Sequence, residues 1–266
     1  MRITLVPHGG LCNRLNAIAS ALAYKESHPE VDIMIYWHKW YLCNCRYRDL
    51  FRQLPSQYPP VEELGFSIKN VPGHKLNLGL PRRLRGLWYD CAIPPGFNAN
   101  LFEDAVKGKE RIYVNKENRF CRECKESSLA EIFVPNDELN DRIHSIVDKW
   151  HSRVIGLHIR RTDNALSISQ SPIQHFYKVI DAELSADQDV CFYVATDDND
   201  VKEDLTARYG DHIISIPLNL SRNSVRGMKD AVVDLYCLGS TEKIYGSAAS
   251  TYSMFAAGLY NKELII

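Results

Sequence analysis

From residue 153 onward, apolar and polar positions alternate in blocks that fix an order of elements. Residues 154–159 are a continuous apolar run with one glycine, the pattern of a buried parallel strand. Further strand-like runs at 190–195, 212–216, 242–246 and 264–266 alternate with helical stripes at 173–184, 199–209, 225–238 and 250–259. Short β and α segments in strict alternation predict a parallel sheet with helices on both faces and right-handed crossovers.

The N-terminal half opens the same way. Residues 2–6 read as a strand that Pro7-His8-Gly9-Gly10 breaks, and Leu11, Leu15, Ile18, Ala19, Leu22 and Ala23 then mark a helix rich in small residues, suited to close packing on a sheet. Residues 31–37 and 111–115 are further strand-like runs, with a short helix around Tyr47-Arg48-Asp49-Leu50-Phe51. Over residues 55–102, prolines and scattered glycines erase any period, as expected of functional or irregular loops. Residues 137–150 place Leu139, Ile143, Ile146, Val147 and Trp150 on one helical face leading into the second half. The fold expected is α/β, with two Rossmann-like domains whose parallel sheets face a cleft, spanning residues 1–150 and 151–266.

Composition narrows the partners. With 266 residues, 45% hydrophobic, 24% charged and a net charge of −1, the chain has core enough for two domains. It lacks the basic excess that nucleic acid as main partner would demand. No run is long enough to span a bilayer, and the chain enters a strand at once rather than a signal peptide. The location expected is cytoplasmic, with peripheral attachment to a membrane left open; oligomeric state is not legible. Eight cysteines are many for an intracellular protein. Cys12, Cys91, Cys191 and Cys237 sit in apolar or small surroundings and read as buried thiols. Cys43, Cys45, Cys121 and Cys124 leave open a structural zinc or disulfide pairing.

The chemistry gathers at strand ends. The run 154–159 stops in Arg160-Arg161-Thr162-Asp163, and in open α/β sheets ligands bind just beyond the carboxyl ends of strands. Two adjacent guanidiniums suit a diphosphate between them, although Asp163 pairing with one of them is an alternative reading. The strand at 190–195 ends in Thr196-Asp197-Asp198, and that at 242–246 runs into Ser247-Ala248-Ala249-Ser250-Thr251-Tyr252-Ser253. Hydroxyls and free N–H groups at a helix start accept phosphate, and a carboxylate at a strand end accepts from guanine N1–H and N2–H₂. Gly9-Gly10 before the first helix is a weaker anion signal of the same kind. Asp198-Asn199-Asp200 has the form of a metal-binding Asp-x-Asp; two arginines already supply that neutralisation and Asp200 falls where it would cap the next helix, so no metal is expected.

His158-Ile159-Arg160-Arg161-Thr162-Asp163 resembles the signature peptide of the GDP-fucose-dependent fucosyltransferases, the α1,6, α1,2 and protein-O-fucosylating enzymes. Tyr193-Val194-Ala195-Thr196-Asp197-Asp198, the tract from Asp230 through Tyr252, and Gly9-Gly10-Leu11-Cys12-Asn13-Arg14-Leu15 resemble further peptides of that group in the same order. The resemblance implies a glycosyltransferase of the B type, with donor bound by the C-terminal half and acceptor on the N-terminal side. It implies that Arg160 and Arg161 clamp the diphosphate, His158 lies against ribose or phosphate, Asp197 reads guanine, and Ser250, Thr251 and Tyr252 hold the β-phosphate end. Gly10, Asn13 and Arg14 become cleft-facing candidates. Arg222 and Arg226 match more loosely.

The expected reaction is inverting, metal-independent transfer of fucose from GDP-fucose to a glycan hydroxyl. The α1,6 enzymes carry a glutamate shortly after this motif; residues 164–171 hold no acid. Asp163 ranks first as base, with His8 or a side chain of the unmatched middle of the chain as alternatives. Another nucleotide-sugar donor and a catalytically silent nucleotide- or glycan-binding module are the competing readings.

Overall fold

A computed structural model describes residues 1–63, 76–77, 80–81, 86–121, 128–162, 165–219 and 221–266. The chain divides into two compact units, residues 1–136 with 221–228, and residues 137–220 with 229–266.

In the first unit, β1 (Arg2–Leu5), β2 (Asp32–Trp37), β3 (Val61–Glu63), β6 (Cys91–Ile93) and β7 (Arg111–Val114) form a sheet in the order β3-β2-β1-β7-β6, and every pairing is parallel. β4 (Leu76–Asn77) and β5 (Leu80–Pro81) make a separate antiparallel pair. α1 (Leu11–Ser27) buries Leu11, Leu15, Ala17, Ile18, Ala21 and Leu22. Its small residues let it lie close to its neighbours, as the sequence pattern predicts. Short helices α2 (Phe102–Val106) and α3 (Leu129–Ile132) follow, and single 3₁₀ turns stand at Tyr47–Asp49, where a short helix was expected, and at Ala99–Leu101. Both α-helices fall where the period gave no warning, because a single helical turn carries too few positions to define one.

The second unit begins with α4 (Asp137–Val147). β8 (Val154–Ile159), α5 (Ala165–Gln170), α6 (Ile173–Ala186), β9 (Cys191–Thr196), α7 (Asn199–Tyr209), β10 (Ile213–Ile214), α8 (Val225–Gly239), β11 (Lys243–Gly246), α9 (Thr251–Leu259) and β12 (Glu263–Ile265) follow. The sheet order is β10-β9-β8-β11-β12, again wholly parallel. The boundary read from sequence at residue 150 therefore differs from the observed grouping. Residues 137–150 join the second unit because Arg142 pairs with Asp230 at 2.6 Å and Lys229 pairs with Glu138. Residues 221–228 group with the first, where the Asn44 backbone N–H donates to the Arg222 carbonyl at 3.1 Å and the Asn44 side chain to Asn223 Oδ1 at 3.0 Å.

β8 is buried along its whole length. Ile155, Leu157 and Ile159 point to one face and pack with Phe192, Val194, Phe176, Ile180 and Leu205, all fully buried. At about 1.5–3 kcal/mol per large apolar side chain, this cluster anchors the strand. The other face approaches α8 so closely that a Cβ on Gly156 would lie 2.7 Å from both Leu238 Cδ1 and Thr241 Oγ1. At the amino end of β8, Arg153 donates to Glu242 at 2.8 Å and Glu183 at 3.2 Å. No helix among the described residues is long and apolar enough to cross a membrane.

Candidate functional site

The strand order places β8 centrally. The chain steps outward through β9 and β10, then returns to the other side of β8 as β11 and β12. In open α/β sheets ligands bind beyond the carboxyl ends of strands at such a reversal, and here the reversal falls between β8 and β11. The polar segments predicted from sequence emerge there.

Arg160 and Arg161 follow β8 directly. The Arg160 backbone N–H donates to Ser247 Oγ at 3.0 Å, and Ser247 donates back to the His158 carbonyl from both its N–H (2.9 Å) and its hydroxyl (3.1 Å). The turns after β8 and β11 are thereby bonded to each other. The Arg161 guanidinium donates from Nη2 to the Ser171 carbonyl at 2.7 Å, lies 6.0 Å from the Phe176 ring, and has a buried Nε with no hydrogen-bond partner. Burial lowers its pKa, against the opposing charges of Asp197, Asp198 and Tyr177.

Asp197, at the end of β9, accepts from the Arg161 N–H at 2.7 Å, from the Thr162 hydroxyl at 2.6 Å and, at longer range, from the Thr162 N–H at 3.4 Å. This carboxylate, which the resemblance assigns to guanine, also holds the arginine turn. Asp198 rather than Asp200 caps α7, its carboxylate accepting the Asp200 N–H at 3.0 Å. The Asp-x-Asp motif is thus partly engaged in capping, with the cap two residues earlier than expected. Asp163, the favoured base, and Asn164 lie outside the described residues.

His158 is buried, its ring stacked on Tyr252 with centroids 5.1 Å apart, and its Nδ1 has no partner. Burial, helped by the nearby Arg160 charge and opposed by Asp197, pushes its pKa down to about 4, so the ring is neutral near pH 7. Tyr252 donates its hydroxyl to the Asp234 carboxylate at 3.0 Å and to the Ala231 carbonyl at 2.9 Å; Tyr193 donates to the other Asp234 oxygen at 2.8 Å. Burial raises Asp234 to about 6 against those hydrogen bonds and Lys202.

Ser250 is the N-cap residue of α9 and is 2% exposed, yet its hydroxyl oxygen caps nothing and has no partner. Thr251 opens the helix beside it. Ala249 precedes the cap at φ 54°, in the left-handed region. Two serines missed by the sequence reading brace this turn. Ser167 Oγ donates to the Ala248 carbonyl at 2.6 Å, and the Ala248 N–H donates to Ser171 Oγ at 2.9 Å. Their spacing of four residues, which stacks side chains on one helical face, was the available signal.

The candidates of the first unit fare differently. Gly9 takes φ 84°, where a Cβ would sit 2.9 Å from Asn13 Nδ2, and Gly10 is the N-cap of α1 without a side-chain cap. Arg14, expected to face the donor, is fully buried. Its Nε donates to the Gly9 carbonyl at 2.8 Å, Nη1 donates to the His38 carbonyl at 2.5 Å, and its guanidinium stacks 4.9 Å over Trp37. The cleft-facing candidate is a structural cation under the glycine turn. Burial depresses its pKa, with Cys43 and Cys45 acting the other way.

The cysteines resolve in part. Cys121 is disulfide-bonded, whereas Cys43 and Cys45 are free, buried, and 3.9 Å apart at sulfur, so Cys121 has no thiolate to contribute to the zinc set considered from sequence. Cys12 and Cys237 are buried free thiols as expected; Cys91 and Cys191 are half-buried. Trp88 is 60% exposed, and the neighbouring Arg82, Arg83 and Arg85 lie outside the described residues.

Compared with solved structures, the chain overlays the fucosyltransferase NodZ from Bradyrhizobium with a TM-score of 0.62 at 17% identity, covering 96% of this chain and 92% of that one. A mutant of Arabidopsis thaliana FUT1 in complex with GDP gives 0.64 at 14% identity, with 99% and 69% covered. Apo POFUT1 gives 0.58 at 9% identity, with 99% and 97% covered. The chain has the GT-B fold of the fucosyltransferases. No protein-family model and no curated protein matches the sequence. A NodZ α-1,6-fucosyltransferase structure was soaked with GDP-fucose and another co-crystallised with GDP. At these identities the likeness carries the fold alone.

Proposed function

We propose that the chain is an inverting, metal-independent fucosyltransferase that moves fucose from GDP-fucose to a glycan hydroxyl. The observation that carries this reading is a set of buried polar atoms without partners on neighbouring strand ends: His158 Nδ1, Arg161 Nε and Ser250 Oγ. A buried polar group left unpaired costs about 1–3 kcal/mol, and three grouped at a switch point are a standing demand for a ligand rich in acceptors and hydroxyls. A sugar nucleotide diphosphate meets it. The fold shared with enzymes whose structures hold GDP or GDP-fucose supports the same donor.

In this reading the second unit is the donor side and the first the acceptor side. As the bond from sugar C1 to the β-phosphate breaks, negative charge grows on the leaving phosphate. Arg161 and Arg160 offset that charge, and Ser250 and Thr251 at the start of α9 receive the phosphate oxygens. His158, neutral and stacked on Tyr252, meets ribose or phosphate as a hydrogen-bonding partner. The acceptor hydroxyl attacks from the face opposite GDP, which inverts the anomeric centre. Asp163 remains our candidate for receiving the hydroxyl proton. Two guanidiniums supply the neutralisation that a divalent cation gives elsewhere, and Asp198 is engaged as a helix cap.

Isothermal titration with GDP, UDP and GDP-fucose, with and without EDTA, tests the proposal. Selective, EDTA-insensitive GDP binding with slow hydrolysis of GDP-fucose is expected. Preference for UDP, or loss of binding in EDTA, overturns the donor or the metal-free part. GDP binding without turnover on any glycan leaves the silent binding module in its place.

A further inference from the structure

We infer that Ser167 and Ser171 are positioning residues that set the spacing between the Arg161 guanidinium and the α9 anion seat. The inference rests on the donor reading above and assigns residues that no motif match covers. Ser171 is 3% exposed and joins two catalytic elements: its carbonyl accepts Arg161 Nη2 at 2.7 Å, and its hydroxyl accepts the Ala248 N–H at 2.9 Å. Ser167 is fully buried and completes the hold, donating to the Ala248 carbonyl at 2.6 Å. The two serines are themselves linked, since the Ser171 N–H donates to the Ser167 carbonyl at 2.9 Å. Both polar groups of the Ala248 backbone are thus fixed by one short segment, which also fixes the arginine.

The next residue shows why such a hold is needed. Ala249 sits at φ 54°, and among the described residues the other non-glycine positive-φ positions are both asparagine, a residue that tolerates this region. An alanine there is strained and persists only where its surroundings over-determine it. Ser247 fastens the turn to β8 on one side and the serine pair fastens Ala248 to α5; the strained residue follows, and then Ser250 with its unpartnered hydroxyl. The turn is a preformed seat held open by side chains that need never touch the ligand.

GDP is the probe, read by titration together with hydrogen exchange of the amides at 248–251 in the free protein. Ser171→Ala is expected to weaken GDP binding about tenfold, the worth of one hydrogen bond, and to speed exchange at those amides. Ser171→Thr, which keeps the hydroxyl, restores both. Ser167→Ala acts in the same direction. In an Arg161→Ala background, Ser171→Ala should add little further loss, a non-additivity that a merely structural serine would not give. Wild-type GDP affinity and exchange in Ser171→Ala, or full additivity with Arg161→Ala, overturns the positioning role. A wild-type protein that binds no GDP removes the donor reading and this role with it, an outcome separate from a wild type that binds and a variant that does not differ.

Discussion

The ring of Tyr252 stacks on that of His158, planes 28° apart, and the same Tyr252 donates its hydroxyl to Asp234. Two titrating groups with opposite displacements are thus joined through one aromatic side chain. His158 is lowered to about 4, by burial first, and Asp234 is raised to about 6, also by burial first. Between pH 4 and 6.5 the unfolded chain protonates this histidine and the folded chain does not, so its linkage makes stability fall as pH falls. Between pH 3.8 and 6 the folded chain keeps the Asp234 proton that the unfolded chain has lost, so its linkage makes stability fall as pH rises. Each is worth about 3 kcal/mol at most, and across the shared window they oppose. Asp234→Asn should therefore give a steeper loss of stability on acidification from pH 6.5 to 4.5 than wild type, and His158→Gln a shallower or reversed one. Urea midpoints at three pH values decide it; parallel profiles for all three proteins refute the coupling.

Arg161→Ala should slow fucosyl transfer by one to two powers of ten, about the value of one charge-assisted hydrogen bond, while circular dichroism and the thermal midpoint stay close to wild type. Arg161→Lys should recover little, because one ammonium cannot both reach the Ser171 carbonyl and present a second donor toward a phosphate. Initial rates with GDP-fucose check this, and near wild-type turnover in Arg161→Ala takes the residue out of the mechanism.

At position 249 a glycine and a valine should part company. Ala249→Gly relieves the left-handed strain and should leave the thermal midpoint unchanged or higher, whereas Ala249→Val, branched at Cβ, should lose at least about 1 kcal/mol. Calorimetry of both variants suffices; equal midpoints would mean the turn relaxes in solution.

Arg14→Met should destabilise the protein by about 3 kcal/mol, because it strands the buried Gly9 and His38 carbonyls that the guanidinium now serves. Arg14→Lys should rescue only part, since a single ammonium cannot serve both carbonyls while stacking on Trp37. Denaturant midpoints measure both.

The architecture was legible wherever elements were long enough to show a period. The strands 154–159, 190–195 and 242–246 and the helices 173–184, 199–209 and 225–238 were placed to within a residue or two, and so were β1 and β2; α1 runs four residues beyond the stripe that ended at Ala23. What escaped was short. β3 and β6 have three residues each at the sheet edge, and α5 has six residues, too few for either period to declare itself. The site divided along a different line. Strand ends told where Arg160, Arg161, His158, Asp197 and Ser250 would gather, because burial and topology dictate that. They did not tell what each carboxylate or guanidinium bonds. Asp197 is drawn to the backbone N–H groups of a turn that the sequence leaves unspecified. Arg14 is drawn under Gly9 because the left-handed glycine exposes a carbonyl there. Such partners depend on backbone geometry that residue spacing does not encode.

Gly156 sits mid-strand, two residues before His158 and four before Arg160, with no room for a methyl group on its α8 side. The register of His158, Arg160 and Arg161 is accordingly set by close packing on the far surface of the sheet. A variant there would act as a wedge, tilting β8 and moving both arginines without changing any atom a ligand touches, so loss of activity at this position is to be read as misalignment rather than as missing chemistry.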